Sequence, residues 1–388
     1  MADGALIFPA AEFERRAAAL QQQMARDGID ALLLTNAADI TYLAGFLTRF
    51  WESPTRPWFL VLPADGAPVA VIPAIGKALM DRTWVKDIRT WASPDPDDDG
   101  TSLLADTIRE QSADGARIGM AIGPESALRM PLVQLHQIER SIGGRVVVDA
   151  TQTIHRVREI KSEPEINRIR AACRVADLAF ARVPDFARAG SRLDDVFRSF
   201  QCALLESGAD WVSYTAGGAG PGGYFDVISP ADGTPLRRGD VLMLDTGAVV
   251  DGYFCDFDRN FSVGAPAQAV AQTHAALIRA TDSALAQLRP GLLAEDAHRI
   301  MADALVESGA TPIGGRFGHG LGLSLTEWPS LQPGDTTPLR AGMVLTLEPG
   351  AEVSPGRILV HEENIVLRPD GAQLLSARAP RQLPILSA

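Results

Sequence analysis

Carboxylates placed within strand-like apolar runs constrain the fold of this chain more than any other feature of its sequence. Asp245 ends the run VLMLD, and Asp256 and Asp258 follow in FCDFDRNF. Because side chains alternate between the two faces of a strand, Asp256 and Asp258 share one face, about 7 Å apart at ~3.3 Å per residue. Cys255 and Phe257 then face the opposite layer. An acid within each of two neighbouring strands needs a chemical reason.

A later pair of strand-like runs repeats this pattern. Glu348 ends the run in LTLEPG, and the run ILVHEENIVL carries further charged residues. Taken as one strand, this last run places His361 and Glu363 on one face and turns Glu362 away. Several carboxylates on one sheet face repel each other and shift each other's pKa unless a cation neutralises them. The pattern therefore predicts a site for divalent metal.

One histidine joins this acidic set. His319 lies in FGHGLGLSL, where glycines at positions 318, 320 and 322 let the backbone and an ion approach closely. A neutral imidazole adds one nitrogen to an oxygen-rich set, which suits Mn²⁺, Fe²⁺, Co²⁺ or Zn²⁺. Each residue alone has a commoner explanation: Asp245 could cap a strand end, His319 could be a satisfied loop histidine, and Glu363 could be an exposed strand residue. The metal prediction rests on the whole set.

The chain of 388 residues is long enough for two domains. Its first part alternates helical and strand-like segments as far as RVVVDA, which predicts an α/β domain over residues 1–155. Ser162 and Glu165 have the spacing of a capping box, with Pro164 in the first turn, and predict the start of a long helix. Residues 156–388 are the second domain, with helices near 266–288 and 294–308 and strands near 342–348 and 358–367.

Composition excludes several classes of protein. The net charge of −12 argues against a nucleic-acid or anionic-membrane partner. No apolar stretch approaches the ~20 residues of a membrane span, and the first residues have no signal-peptide pattern. The three cysteines are too few and too scattered for a disulfide framework or a zinc knuckle. These features predict a cytoplasmic protein.

The order of these motifs resembles one known family. The pattern D-(x)10-D, then GHGLG, then EPG, then a glutamate fifteen residues on, is similar to that of the pita-bread metallopeptidases: methionine aminopeptidase, aminopeptidase P, prolidase and creatinase. IHRVREIKSEPEINRIRAA resembles the segment that leads into their catalytic domain. The resemblance implies an α/β creatinase-type N-terminal domain, an α+β pita-bread catalytic domain, a homodimer, and a short peptide or small molecule as substrate.

The resemblance also implies roles for individual residues. Asp245 and Asp256 would hold one metal ion, and Asp256 and Glu363 would bridge to a second ion that His319 and Glu348 also bind. A water or hydroxide between the two ions would be the nucleophile, since such a pair lowers the pKa of the shared water and polarises a carbonyl. Glu348 would shuttle the proton.

Two features depart from the family pattern. Its peptidases usually carry two further histidines, whose positions fall here near Ile228 or Ser229 and at Thr326. Those histidines contact the scissile amide and the developing oxyanion, and each such donor is worth ~10²–10³ in rate. Asp258 replaces a threonine that is common in the family, and it is a sixth ligand, a general base, or a simple ion-pair partner of Arg259.

Further residues of the site are predicted with alternatives. His361, where the family often has arginine, is a candidate catalytic residue or a structural one. Thr326, Tyr224 and Trp328 are candidate substrate contacts, and packing explains each of the two aromatic residues equally well.

Three functions are compatible with this sequence. The leading hypothesis is a metal-dependent hydrolase of a C–N bond, similar to the Xaa-Pro peptidases. The alternative, favoured by the absent histidines and by Asp258, is a non-peptidase on the same scaffold, such as a dimethylsulfoniopropionate-type lyase or a creatinase-like enzyme. The third is a non-catalytic binding module.

Overall fold

The computed structural model describes residues 7–51 and 56–388. The chain divides into two compact units, Met1–Arg158 and Glu159–Ala388; the sequence-based boundary lay between residues 155 and 156. Within the described ranges, no helix combines the length and apolar character that a membrane crossing requires.

The first unit is built on a six-stranded mixed sheet of order β4-β3-β2-β1-β5-β6. β1 and β3 are both antiparallel to β2, and the outer pairs are parallel. The strands are β1 (Ala31–Leu34), β2 (Phe59–Pro63), β3 (Val69–Pro73), β4 (Asp87–Trp91), β5 (Arg117–Met120) and β6 (Val146–Asp149). The helices are α1 (Ala10–Asp27), α2 (Ala37–Ala44), α3 (Lys77–Met80), α4 (Thr101–Gln111), α5 (Leu132–Ser141) and α6 (Thr151–Arg158).

Apolar spacing explains the first helix of this unit. Phe13, Ala17, Leu20 and Met24 recur at helical intervals in α1 and are buried. Gly28 ends the helix in the left-handed conformation, with φ of 66°. The unbroken apolar runs of β1, β2 and β3 are buried along their whole length, as expected of strands covered on both faces.

The second unit combines five helices with three sheets. The helices are α7 (Glu163–Ala181), α8 (Val183–Phe186), α9 (Leu193–Glu206), α10 (Gln268–Gln287) and α11 (Ala294–Glu307). The strands of the first sheet are β7 (Trp211–Pro221), β8 (Asp240–Val250), β9 (Tyr253–Phe254), β10 (Phe257–Val263) and β19 (Ile385–Leu386), in the order β19-β10-β8-β7 with β9 beside β8.

The two other sheets of this unit come from the last third of the chain. A three-stranded sheet has the order β11-β15-β16, and a five-stranded sheet has the order β13-β12-β14-β17-β18. Their strands are β11 (Thr311–Ile313), β12 (His319–Gly320), β13 (Glu327–Ser330), β14 (Val344–Leu347), β15 (Gly350–Ser354), β16 (Arg357–Val360), β17 (Glu363–Arg368) and β18 (Gly371–Leu374).

The predicted capping box at the start of α7 is confirmed. The backbone N–H of Ser162 donates to Glu165 Oε2 at 3.0 Å, and Pro164 lies in the first turn. Glu165 also accepts a hydrogen bond from the buried hydroxyl of Tyr253 at 3.1 Å. This contact ties the beginning of α7 to β9.

A large apolar core lies between helices and strands of the second unit. It contains side chains of α10 and α11 together with Val241 and Met243 of β8, Leu345 of β14 and Ile365 of β17. Asp245 lies two residues beyond Met243 on β8 and therefore shares its face of the sheet. The acidic residues thus lie at the edge of this apolar layer, where few water molecules are available to solvate them.

Candidate metal centre

Asp256, His319 and Glu362 meet at one buried point of the second unit. One ligand atom of each lies within 4.8 Å of the others, and His319 Nε2 is 3.2 Å from Asp256 Oδ2. Asp256 immediately precedes β10, His319 begins β12, and Glu362 immediately precedes β17. Strand ends from two sheets therefore supply the three side chains.

The orientation of His319 suits a metal ligand. Its Nδ1 lies 2.8 Å from the carbonyl oxygen of Gly320. A carbonyl only accepts, so Nδ1 carries the proton, and the lone pair of Nε2 points to the acidic group when the ring is neutral. Burial acts to lower the pKa of His319, but Asp256 and Glu348 raise it above the ordinary value. A divalent cation bound at Nε2 would take the place of that proton.

Asp245 and Glu348 adjoin this group. The Tyr214 hydroxyl lies within hydrogen-bond distance of both Asp245 Oδ1, at 3.0 Å, and Asp256 Oδ1, and its one proton bonds to one of them at a time. Glu348 Oε2 lies 3.9 Å from His319 Nε2. Asp245 and Glu348 thus lie beside Asp256 and His319, whereas Glu363 lies apart; the binding of metal by these residues stays a prediction.

The electrostatics of the group fit a cation. Burial raises the pKa of Asp245 and of Glu362 well above their ordinary values, and neighbouring carboxylates raise both further. Burial also raises the pKa of Glu348, and Asp256 adds to the shift. Such groups hold protons unless a positive ion neutralises them. An oxygen-rich set with one imidazole suits first-row divalent ions.

The assignment of the last ligand to Glu363 is contradicted by the geometry. Glu363 Oε2 lies 3.0 Å from Arg259 Nη2, and its Oε1 lies 2.9 Å from Arg378 Nη1. Ser376 also donates to Oε2, and the N–H of Ala379 donates to Oε1 at 2.9 Å. Burial acts to raise the pKa of Glu363, but Arg259, His361 and Ser376 hold it well below its usual range. The carboxylate of Glu363 is therefore paired with two arginines.

The physical reason for the error is a break in the strand. β16 ends at Val360 and β17 begins at Glu363, so His361 and Glu362 belong to neither strand. The alternation of side chains assumed for a continuous run does not hold across this break. Glu362, predicted to face away, is the residue that meets Asp256 and His319.

His361 lies beside the group, in the network around Glu363. Arg378 Nη1 donates to His361 Nε2 at 2.9 Å, and His361 Nδ1 is 3.9 Å from Asp258 Oδ1. Burial lowers the pKa of His361 to about 4, partly offset by Glu363. The ring is therefore neutral at pH 7, with its proton on Nδ1, because Nε2 accepts from arginine.

The candidate substrate residues have different surroundings. Tyr224 is buried, donates its hydroxyl to Asn260 Oδ1 at 3.1 Å and accepts from the N–H of Val360 at 2.6 Å. Trp328 Nε1 donates to Thr337 Oγ1 at 3.0 Å, and Thr326 is exposed. Tyr224 thus links two strands, and substrate contact by these three residues stays a prediction.

The upstream position where the family has histidine is an exposed turn. The N–H groups of Ile228 and Ser229 donate to Asp226 Oδ1 at 3.0 and 3.1 Å. Ile228 is 87% exposed, so this turn presents an apolar side chain to solvent where the family presents an imidazole.

Sequence reasoning missed three residues of the site. They are Glu362, Tyr214 and Arg316. Arg316 Nε lies 3.4 Å from Glu348 Oε1, and 38% of the Arg316 side chain is exposed. The register of β7 against β8 shifts between Val212 and Thr215, so strand alternation could not place Tyr214. Arg316 precedes the GHG motif by only two residues, and this proximity was an available signal.

Comparison with known proteins agrees with this geometry. Residues 167–368 match the model of metallopeptidase family M24, and residues 16–160 match that of the creatinase/prolidase N-terminal domain. The chain is 30% identical over 385 residues to a probable dipeptidase PepE of Mycobacterium tuberculosis, with 99% of each chain covered. It is 27% identical over 259 residues to an Xaa-Pro dipeptidase of Pyrococcus horikoshii, covering 66% of this chain and 73% of that one.

Solved structures share the fold along nearly the whole chain. The crystal structure of dipeptidase PepE from Mycobacterium ulcerans is 29% identical and superposes with a TM-score of 0.83, covering 98% of this chain and 100% of that one. A prolidase from Thermococcus sibiricus superposes with a TM-score of 0.84, covering 96% and 99%. The predicted fold class and family are confirmed. The chain belongs to metallopeptidase family M24 and is a metal-dependent hydrolase with a creatinase-type N-terminal domain and a pita-bread catalytic domain.

Proposed function

We propose that this protein hydrolyses a C–N bond in a short peptide, with Xaa-Pro dipeptides as the first candidates, and that it does so with two divalent metal ions. The observation that carries the proposal is the buried meeting of Asp256, His319 and Glu362, with one ligand atom of each within 4.8 Å of the others. The names of the dipeptidase relatives support the substrate class.

The proposed ligand set follows from the contacts described above. It consists of one imidazole and four carboxylates: Asp245, Asp256, His319, Glu348 and Glu362. Divalent ions held by these residues would lower the pKa of a water molecule, making it a nucleophile near neutral pH, and would polarise the substrate carbonyl. Mn²⁺, Fe²⁺, Co²⁺ and Zn²⁺ all suit this donor set.

Side chains of this protein would orient the ligands, transfer the proton and bind the substrate. The Tyr214 hydroxyl lies beside both Asp245 and Asp256, and its hydrogen bond orients the carboxylate that accepts it. Glu348 is the proposed proton carrier between water and leaving nitrogen, since it adjoins the proposed ions and 19% of its side chain is exposed. Arg316, beside Glu348 and partly exposed, offers a positive charge to the carboxylate of a short peptide.

A second candidate is a non-peptidase reaction on a small molecule. The specific observation in its favour is the absence of imidazole at Ile228, Ser229 and Thr326. A peptidase without both donors loses stabilisation of the oxyanion worth ~10²–10³ in rate for each. A lyase or a creatinase-like enzyme has no such requirement.

The test begins with elemental analysis of protein purified without added metal. We expect about two ions per chain in the wild type and a loss of both ions in Asp256→Ala, because Asp256 is the proposed bridging ligand. Asp303→Ala, an exposed acid on α11, is the control and should keep both ions. Unchanged metal content in Asp256→Ala would contradict the proposed centre.

The metal-loaded protein is then assayed on Xaa-Pro dipeptides and on small zwitterionic metabolites in ¹⁸O-labelled water. Hydrolysis incorporates the label into the product, whereas an elimination yields an alkene without it. Cleavage of dipeptides with incorporation supports the first candidate. Label-free elimination would assign the protein to the second. A homodimer and a cytoplasmic location, both predicted from the sequence, stay predictions.

A further inference from the structure

Asp258 is the acidic residue at the centre whose role the family pattern does not explain. It lies in β10 directly opposite Asp245 of β8 in the antiparallel register. Residues paired in this way have side chains on the same face of the sheet, with Cβ atoms about 4.5–5.5 Å apart. Asp258 therefore faces the group formed by the proposed ligands.

One oxygen of Asp258 is fixed by the backbone. Oδ1 accepts the N–H of Glu362 at 2.9 Å. Since Glu362 is itself a proposed ligand, this bond ties the position of Asp258 to that of the metal centre. The carboxylate is thereby held in one orientation before any ion binds, which is the arrangement expected of a preorganised ligand.

The other oxygen of Asp258 has no partner. The side chain is 1% exposed, and in the described part of the chain no group donates a hydrogen bond to the buried Oδ2. A buried polar atom without a partner costs about 1–3 kcal/mol, and more when the group is charged. Such an atom at the edge of an acidic group is explained if a cation is its partner.

The simpler explanation, an ion pair with Arg259, does not match the contacts. The guanidinium of Arg259 donates to the carbonyl oxygens of Asp258, Glu362 and Ala377 and to the carboxylate of Glu363. None of these acceptors is the carboxylate of Asp258. His361 Nδ1, at 3.9 Å from Oδ1, lies beyond hydrogen-bond distance.

We propose that Asp258 is a sixth protein ligand of the metal centre and binds one ion through Oδ2. This inference rests on the proposed dinuclear centre and refines its ligand set to five carboxylates and one imidazole. The positive charge of two divalent ions is smaller by one than the negative charge of five carboxylates, so the filled centre would have a net charge of about −1. The oxygen-rich, anionic set favours ions that prefer carboxylates, such as Mn²⁺.

The test compares Asp258→Asn, which keeps the shape and the acceptor for Glu362, with Asp258→Thr, which restores the residue common in the family. Mn²⁺ affinity and stoichiometry are measured by titration calorimetry on metal-free protein, and the visible absorption of the Co²⁺-loaded protein reports the ligand number. We expect both variants to bind one ion at least about tenfold more weakly, the lower end of the loss that partners of metal ligands cause. Asp303→Asn is the charge-matched control and should bind as the wild type does.

Thermal unfolding of the metal-free variants separates ligation from a structural role. Without metal, Asp258→Asn should be as stable as the wild type or more stable, because it removes a carboxylate from an acidic group. Wild-type Mn²⁺ affinities and an unchanged Co²⁺ spectrum in both variants would overturn the inference. A variant that is less stable than the wild type without metal, but binds Mn²⁺ with the same affinity, would also overturn it, because Asp258 would then have a structural role only. If the wild type binds none of Mn²⁺, Fe²⁺, Co²⁺ and Zn²⁺, the proposed function fails and this inference fails with it.

Discussion

Two adjacent glutamates have opposite surroundings in this protein. Glu362 lies among carboxylates, and its pKa is raised by burial and by Asp256 and Glu348. Glu363 lies between Arg259 and Arg378. Nothing in the residue types distinguishes the two, because both are glutamates in the same short run. Only the position of the strand break decides which one joins the centre.

Substitution of each glutamate by glutamine distinguishes the two roles. Glu362→Gln should lose metal, because it removes a proposed ligand. Glu363→Gln should keep metal but lose about 3–5 kcal/mol of stability, as expected when one partner of a buried ion pair is removed. Metal content and urea unfolding measure the two effects. Loss of metal in Glu363→Gln with full retention in Glu362→Gln would restore the original assignment.

At the scale of elements, glycine determines how closely β12 approaches its neighbour. Gly318 has φ of +144°, and a Cβ there would lie 2.2 Å from the carbonyl oxygen of Thr346 in β14. The N–H of His319 donates to Thr346 Oγ1 at 3.1 Å. The close approach predicted from the glycine spacing thus positions the histidine of the centre.

We therefore expect Gly318→Ala to displace His319 and to weaken metal binding. The strained φ alone should cost about 1–3 kcal/mol of stability, and the contact with Thr346 adds to that cost. Gly315→Ala is the matched control three residues earlier, since no atom lies within 4 Å of its added Cβ, and its effect should stay within about 0.5 kcal/mol. Equal metal affinity and stability in the two variants would show that β12 tolerates a wider separation.

The elements differ in how well the sequence predicts them. The predicted helices near 266–288 and 294–308 correspond to α10 and α11, because their apolar spacing persists over several turns. The predicted strand near 358–367 is instead two strands in different sheets, β16 and β17. A run of apolar and charged residues contains no local signal for a change of sheet, since that change depends on pairing with distant strands.

For the whole molecule, the order of motifs was sufficient to predict the family and the fold class. The α/β character of the first unit followed from its alternating segments. The local sequence pattern could not predict which distant strands pair. The C-terminal strand β19, for example, pairs with β10, which lies more than one hundred residues earlier. Of the five predicted ligands, Asp256 and His319 meet at one buried point, and Asp245 and Glu348 adjoin them. The position of Tyr214, whose hydroxyl lies near two of them, depends on an irregular register.

The metal centre should couple the stability of the catalytic unit to pH. The pKa values of Asp245, Asp258 and Glu362 are raised in the metal-free fold, chiefly by burial. A group with a raised pKa contributes stability below its unfolded value, ~4, and that contribution is lost as pH rises through the folded value. The stability that these three protonated groups contribute to the metal-free protein should therefore decrease from about pH 4 upward.

Metal reverses this trend, because binding requires the deprotonated carboxylates and a neutral His319. We expect the increase in Tm produced by Mn²⁺ over a chelator to be larger at pH 8 than at pH 6. Calorimetric unfolding at both pH values measures it, and Asp256→Ala, which cannot hold the ions, should show no increase at either. An increase as large at pH 6 as at pH 8 would mean that these carboxylates are already ionised in the metal-free protein, and that some other positive charge compensates them.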